Sequence, residues 1–374
     1  MLKVGITGQS GFIGTHLYNF LNLKKEEIIT VPFEDSYFEN DGKLQEFVAG
    51  LDAIVHLAAM NRHGDPQVIY DTNLKLVNHL IAAMEAAGSS PHVLFSSSTQ
   101  EERDNLYGKS KRDGRILFEQ WAGRNNARFT GFVIPNVFGP FGNPYYNSVI
   151  ATFCHQLTHN EQPKIVVDAN LQLIHVSELA KLFYQKIVEN MGPGQARFDV
   201  QYTSEKKVSE ILLDLENYRS IYFEGHSFPE LNSVFELNLF NTFRSYIDHS
   251  AVYPVLLKKN TDQRGAFIET IRTSLGGQFS YSTTLPGVTR GNHFHTRKIE
   301  RFIVIKGKAI IELRRIGTTE TMSFELSGEH PSYVDMPVWY THNITNVGDD
   351  DLITLFWINE FFNPDDPDTF FEKV

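Results

Sequence analysis

Thr7-Gly8-Gln9-Ser10-Gly11-Phe12-Ile13-Gly14 limits the folds open to this chain more than any other stretch. It follows an apolar run, Leu2–Thr7, that reads as a strand. It opens an amphipathic run, Phe12–Leu21, that reads as a helix. Glycines spaced three apart let the backbone turn tightly and approach a pyrophosphate, and the helix N-terminus then faces that anion. Such a turn belongs on the first strand of a parallel α/β sheet, and the chain continues in that style. Strands are expected at Glu27–Pro32, Ala53–Ala58, His92–Ser96 and Ala127–Ile134, and helices at Val68–Ala87 and Tyr107–Gly123. Strands alternating with helices of this length predict a doubly wound parallel sheet with crossover helices.

The pattern changes near Asp248. Beyond a helical connector expected over Glu224–Asp248, short β-rich runs dominate: YPVLLKK, GAFIETI, QFSYSTTL, ERFIVI, KAIIELRRI, TMSFEL, SYVDM and LITLFWI. Turn residues such as Gly276-Gly277, Pro286-Gly287, Gly307 and Gly317 separate them. That spacing predicts an all-β sandwich or barrel. The chain is therefore divided into a nucleotide-binding domain, 1–247, and a β domain, 248–374. Its 374 residues allow two domains, and 41% apolar content supports large cores. The net charge of −11 excludes a general polyanion binder, so no nucleic acid is expected as a partner. A single cysteine, Cys154, rules out an intrachain disulfide and suits a reducing compartment. No run approaches the roughly 18 apolar residues of a membrane span, and the N-terminus does not read as a signal peptide. The expectation is a cytoplasmic protein.

Tyr107-Gly108-Lys109-Ser110-Lys111 places a tyrosine and a lysine four residues apart, on one helical face. An ammonium near a phenol lowers its pKa and suits it to proton transfer. Ser96-Ser97-Ser98 sits at a strand end, where parallel sheets place their ligands. With His56-Leu57-Ala58-Ala59, Asn73 and "PNVFGP" (Pro135–Pro140), roughly residues 1–245 resemble the extended short-chain dehydrogenase/reductase family. The resemblance implies that Tyr107 is the proton donor, and that Lys111 binds the nicotinamide ribose and lowers the pKa of the tyrosine. Ser98, or failing that Ser97, would hold the substrate oxygen. Gly8, Gly11, Phe12, Ile13, Gly14 and Ala58, with Tyr107 and Lys111, would contact the dinucleotide. Asn136 and the loop after it would meet a nucleotide-sugar. Two departures stand out. The serine run lies about ten residues before Tyr107, roughly half the separation common in the family. Val133 also stands where many members carry arginine. The end of the second strand, Thr30-Val31-Pro32-Phe33 followed by Glu34 and Asp35, leaves NAD and NADP open.

In the β-rich part, His293 and His295 alternate and so share one face of a strand. Glu300 is out of phase with them, so a turn over Thr296–Lys298 is expected to return it to the site. His342 follows in "MPVWYTHNITNVG". Three imidazoles and a carboxylate make a site for zinc or another divalent transition ion. The spacing resembles the two cupin motifs over about residues 250–374, with Trp339 in place of the glycine usual after Pro337. "TDQRGAFIE" and "PGVTRGNHFH" are also similar to the deoxysugar-nucleotide epimerases of the cupin group, which implies Arg264 and Arg290 as anion ligands. His293 cannot readily serve both as metal ligand and as free base, and Tyr340, His330 and Glu269 are the other candidates for the base. Asn147 and Ser148 read equally as a helix cap or as substrate contacts, and His175 reads as structural.

Taken together, "HLAAMNR", "SSSTQ", "YGKSK", "PNVFG", "YNSVIATFC", "RGNHFH", "PVWYTHNI" and "NPDDPDTFF" resemble a family of bifunctional capsular-polysaccharide enzymes along nearly the full length. That resemblance implies a UDP-linked 2-acetamido-2,6-dideoxy-4-hexulose as substrate. The cupin would invert C3, and NADPH would reduce C4 to give UDP-N-acetyl-6-deoxy-L-talosamine, on the way to N-acetyl-L-fucosamine. It also implies zinc and a homodimer through the cupin domain. Two readings compete: a reductase whose cupin only binds or dimerises, and a non-enzymatic redox sensor, against which the Tyr107–Lys111 pair argues.

Overall fold

The computed structural model describes residues 1–189 and 192–374, which form two compact units. The first comprises Met1–Phe138, Tyr146–Ser148 and Asn170–Lys206. The second comprises Gly139–Tyr145, Val149–Ala169 and Lys207–Val374. In chain order the elements are β1 (Leu2–Thr7), α1 (Phe12–Asn22), β2 (Ile28–Val31), α2 (Asp41–Val48), β3 (Ala53–His56), α3 (Pro66–Ala86), β4 (His92–Ser98), α4 (Leu106–Asn125), β5 (Arg128–Ile134), β6 (Asn136–Phe138), α5 (Val149–Thr158), β7 (Asn170–His175), α6 (Val176–Val188), β8 (Gly194–Asp199) and β9 (Ser204–Lys207).

Six strands of the first unit form one parallel sheet in the order β2-β1-β3-β4-β5-β8. The chain leaves β1 toward one edge and returns from β3 toward the other, so the order reverses between β1 and β3. A crevice at the carboxyl ends of those strands is where doubly wound sheets bind ligands. The register pairs Thr7 with His56 at that position. Neighbouring strand residues enter opposite cores. Ile54, Val93 and Phe95 pack on one side with Val77, Phe118 and Trp121. Val55 and Leu94 pack on the other with Leu17, Leu179 and Phe183. Burial on both faces is why these strands read as continuous apolar runs rather than alternating ones. The expected strands and helices are all present, with boundaries shifted by one or two residues.

The second unit adds helices α7 (Val208–Arg219), α8 (Val234–Arg244) and α9 (His249–Val252). Its strands are β10 (Ser227–Phe228), β11 (Val255–Leu256), β12 (Lys259–Asp262), β13 (Gly265–Ile268), β14 (Arg272–Thr273), β15 (Gln278–Thr284), β16 (Thr289–Phe294), β17 (Glu300–Lys306), β18 (Lys308–Arg315), β19 (Thr321–Ser327), β20 (Ser332–Met336), β21 (Tyr340–Asn346), β22 (Leu352–Ile358) and β23 (Phe370–Phe371). Two five-stranded antiparallel sheets result, β11-β20-β17-β22-β15 and β19-β18-β21-β16-β23. Phe302, Val304 and Val334 from one sheet share a core with Ile311, Leu313 and Ile344 from the other. This is the small β sandwich of a cupin. The expected connector helix over Glu224–Asp248 is shorter than its sequence suggested. Ser227–Phe228 instead pairs with Arg272–Thr273, and only Val234–Arg244 is helical.

The outer face of the first of these sheets carries a buried ion pair. Arg301 Nε and Nη2 donate to the two Asp335 oxygens at 2.6 and 2.8 Å. The Tyr222 hydroxyl donates to Asp335 at 2.5 Å, and the guanidinium lies 3.6 Å from the Tyr333 ring centroid. Removing either charge would strand the other in the core, at a cost of roughly 3–5 kcal/mol. The pair locks the segment that contains Tyr222 onto the sheet.

Candidate functional site

The glycine turn is built for close backbone approach. Gly8 has φ +70°, and a Cβ there would lie 2.7 Å from the Ala58 nitrogen. One at Gly14 would lie 2.2 Å from the Gly8 carbonyl oxygen. Neither position accepts a side chain without moving the backbone. Gly11 is the N-cap of α1 and no side chain caps it, so the first-turn N–H groups beside Phe12 and Ile13 are left for an anion. Asn73 holds the loop that follows Ala58: its Oδ1 accepts from Met60 N at 2.7 Å, and its Nδ2 donates to Met60 O and to Ser110 Oγ.

Three adjacent serines have three different partners. Ser96 Oγ donates to the His56 carbonyl at 3.2 Å. Ser97 Oγ donates to Glu101 at 2.7 Å. Ser98 Oγ accepts from Gln100 N at 3.2 Å, which leaves its own proton to donate elsewhere. This division favours Ser98 over Ser97 as a ligand for a substrate oxygen. Tyr107 and Lys111 share the expected face of α4, with Lys111 Nζ 5.8 Å from the phenol ring centroid. The lysine donates to the Ser96 carbonyl at 2.9 Å, and burial lowers its pKa to about 8. The sequence led us to expect a phenol of lowered pKa. Burial instead raises Tyr107 to about 12, with Tyr146 adding to the rise. The phenol keeps its proton at neutral pH.

No motif in the chain points to Glu101. It is 2% exposed and lies between two arginines, 3.1 Å from Arg115 Nε and 3.2 Å from Arg197 Nη1. It anchors the short connector between Ser98 and Tyr107 to α4 and β8. Gly131 makes room for this, because a Cβ there would meet Arg115 Cδ at 2.6 Å. Gly108 completes the arrangement: its missing Cβ would lie 1.9 Å from the Gln100 carbonyl oxygen. The connector is short because it lies directly against the helix backbone.

In the second unit, His293, His295, Glu300 and His342 converge, with one ligand atom from each lying within 4.8 Å of the others. The turn expected over Thr296–Lys298 is present, and Asp368 fastens it. The Asp368 carboxylate accepts from Thr296 N, Thr296 Oγ1, Arg297 N and Lys298 N. The Asp368 carbonyl accepts from His295 Nδ1 at 2.5 Å, so the lone pair of His295 is on Nε2. His342 Nδ1 likewise faces the Tyr340 carbonyl at 3.3 Å. Both Nε2 atoms then lie 3.1 Å from Glu300 Oε2. Burial lowers His293 to about 4, with His342 adding to the effect. Lone pairs and a carboxylate facing one another need a cation between them, and the donor set fits zinc or a similar divalent ion.

The remaining candidates are dispersed. Asn136 is exposed and donates to the Gln172 carbonyl at 3.1 Å. Arg264 lies on the β12–β13 hairpin, 90% exposed, and pairs with Asp262. Arg290 donates to Thr284 Oγ1 and the Thr283 carbonyl. Among the candidate bases, Glu269 is exposed and paired with Arg272, and His330 is exposed. Tyr340 lies on β21, two residues before His342. His175 caps α6, accepting from Ser177 N at 3.4 Å.

Residues 4–196 match the NAD dependent epimerase/dehydratase family, and residues 260–370 match the polysaccharide biosynthesis C-terminal domain. Over 371 residues, 99% of this chain and 98% of the relative, the chain is 33% identical to the UDP-2-acetamido-2,6-beta-L-arabino-hexul-4-ose reductase of Pseudomonas aeruginosa. It is also similar to the capsular polysaccharide assembling protein CapF of Staphylococcus aureus, at 33% identity and a TM-score of 0.62, with both chains fully covered. The structure of RMD from Pseudomonas aeruginosa complexed with NADPH shares the fold at 19% identity, with a TM-score of 0.56 over 66% of this chain and 99% of that one. The chain belongs to the NAD-dependent epimerase/dehydratase family, as a CapF-like member that joins this N-terminal domain to a polysaccharide-biosynthesis C-terminal domain.

Proposed function

We propose that the protein is a bifunctional nucleotide-sugar enzyme. Its cupin domain inverts C3 of a UDP-linked 2-acetamido-2,6-dideoxy-4-hexulose. Its reductase domain then reduces the C4 ketone with NADPH to UDP-N-acetyl-6-deoxy-L-talosamine. The observation that carries this reading is the converged cluster of His293, His295, Glu300 and His342 in a chain that also has the Tyr107–Lys111 pair. In the first step a base removes the C3 proton beside the ketone, and the carbon is reprotonated from the opposite face. Tyr340 is the best placed of the candidate bases, two residues from His342 on the same strand. A divalent metal such as zinc, held by the four cluster residues, supplies polarisation of the ketone when bound. In the second step hydride passes from NADPH to C4, and the C4 oxygen takes the Tyr107 proton while Ser98 donates a hydrogen bond to it. Lys111 holds the cofactor ribose, and Asn136 contacts the substrate. Epimerisation alone would leave a mixture, and reduction draws it forward.

The test is proton exchange. The 4-keto sugar nucleotide is incubated with protein in D2O without NADPH, and C3 is followed by NMR. The reading expects deuterium at C3, lost after metal removal and in His295→Ala. No exchange in metal-loaded protein that binds NADPH would overturn the epimerase half. A second reading, a reductase whose cupin only binds or dimerises, draws support from the name of the Pseudomonas relative, which specifies reduction alone. That reading predicts no exchange but intact reduction.

We also propose a homodimer through the cupin domain. β15 is an edge strand of its sheet and exposes Phe279 and Tyr281, the latter by 71%. Light scattering should give twice the chain mass, falling to one in Tyr281→Lys. We place the protein in the cytoplasm, where nucleotide sugars are made. Among the described residues no helix is long and apolar enough to cross a membrane.

A further inference from the structure

Arg315, at the end of β18, carries a charge that no carboxylate among the described residues neutralises. Ala309, Ile311 and Leu313 of that strand are buried in the core, and alternation puts Arg315 on the same face. The register pairs Leu313 with His342 and Arg315 with Tyr340. Arg315 is therefore about 7 Å along the strand from the row that holds the cluster histidine. Its guanidinium lies 3.8 Å from the Phe141 ring centroid, and the Phe141 ring is 6.2 Å from that of Tyr340. Phe141 is itself held, its N–H donating to Ser245 Oγ at 3.3 Å.

Other arginines of this unit are committed. Arg264 pairs with Asp262, Arg297 with Glu360, Arg301 with Asp335 and Arg314 with Glu372. Among the described residues no carboxylate lies within 4.0 Å of Arg315, although burial is strong enough to lower its pKa. A guanidinium with its flat face on an aromatic ring keeps its in-plane N–H edges for a planar or tetrahedral oxyanion. Holding such a charge half-buried and unpaired is costly unless an anion arrives to meet it.

We propose that Arg315, backed by Phe141 and flanked by Tyr340, binds the diphosphate of the nucleotide-sugar in the cupin domain. This rests on the nucleotide-sugar reading above, but places the phosphate contact on a residue outside the cupin motifs. The motif arginines, Arg264 and Arg290, are occupied by Asp262 and by Thr283 and Thr284.

Calorimetric titration of UDP into the full-length protein tests it, with uridine as the diphosphate-free comparison. Wild-type protein should bind UDP with one component that Arg315→Gln weakens by about 10–100-fold, the loss of a charge-assisted bidentate contact. Uridine binding should not change. Arg315→Lys keeps the charge without the fork and should fall between the two. It also decides the matter should Arg315→Gln fail to fold. UDP binding unaltered in both variants would overturn the proposal. The outcome is independent of C3 exchange: absence of exchange in wild-type protein would remove the epimerase reading, while loss of UDP binding in Arg315→Gln would still establish the anion site.

Discussion

Glycine to alanine in a helix ordinarily stabilises by about 0.5–1 kcal/mol. At Gly108 the sign should reverse. Gly108 is in the first turn of α4, its N–H donating to Asn105 Oδ1 at 2.7 Å. An added Cβ would sit 1.9 Å from the Gln100 carbonyl oxygen and 2.7 Å from its carbon. Ordinary contact begins at 3.4 Å, so one backbone must retreat by about 1.5 Å from the other. The connector that would have to retreat is tied down by Glu101 to Arg115 and Arg197. Overpacking of this kind costs about 1–3 kcal/mol, which exceeds the helix gain. Gly108→Ala should therefore be destabilised by about 1–2 kcal/mol. The larger effect is on geometry, because Ser98 and Tyr107 stand at the two ends of the connector. A displacement near 1 Å should lower kcat for NADPH-dependent reduction by about 100-fold while NADPH still binds. Urea denaturation and steady-state kinetics would measure both. A variant as stable as wild type with full turnover would refute the packing of connector on helix.

Three further outcomes follow. Lys111→Met should abolish reduction yet stabilise the fold at pH 7: the fall of the lysine from 10.5 to about 8 is worth about 3 kcal/mol, offset by about 1 for the stranded Ser96 carbonyl. The unfolded lysine keeps its proton between pH 8 and 10.5 while the folded one does not, so wild-type stability should rise through that window and the advantage of the variant should shrink. Urea titrations at pH 7 and pH 10 check this, and a variant less stable at pH 7 would contradict it. Glu101→Gln should cost about 3 kcal/mol by leaving Arg115 and Arg197 short of a buried counter-charge, with kcat lowered more than KM is raised. Asp368→Ala should weaken zinc retention by about 10–100-fold in chelator competition without affecting NADPH binding, since it frees the turn that carries His295 toward Glu300.

Most of the fold could be read from the chain. The first five strands announced themselves as apolar runs, and the glycine turn marked the strand end where a doubly wound sheet takes its ligand. β16 and β21 were harder: THNITN carries polar residues on both faces, and only the spacing of His293 and His295 marked β16 as a strand. The candidate metal ligands were readable because local geometry couples them: alternation joins His293 to His295, and a turn returns Glu300. What the sequence concealed was support from a distance. Asp368 is 73 residues beyond the histidine whose Nδ1 it fixes, and no periodicity links them.

The arginines show why motif reading fails in the other direction. Arg264 and Arg290 were singled out by local pattern, yet each has neighbours on its own hairpin or adjacent strand that satisfy its N–H groups. A short-range partner is available to a motif residue because the motif is local. Arg315 follows Arg314 in an ordinary strand and has no motif at all. Its importance lies in the absence of a nearby carboxylate among the described residues, which only the packed sandwich can establish, since the chain as a whole carries 45 acidic residues to 34 basic ones. In so acidic a protein an unpaired, half-buried guanidinium is costly to keep, and an incoming diphosphate accounts for it.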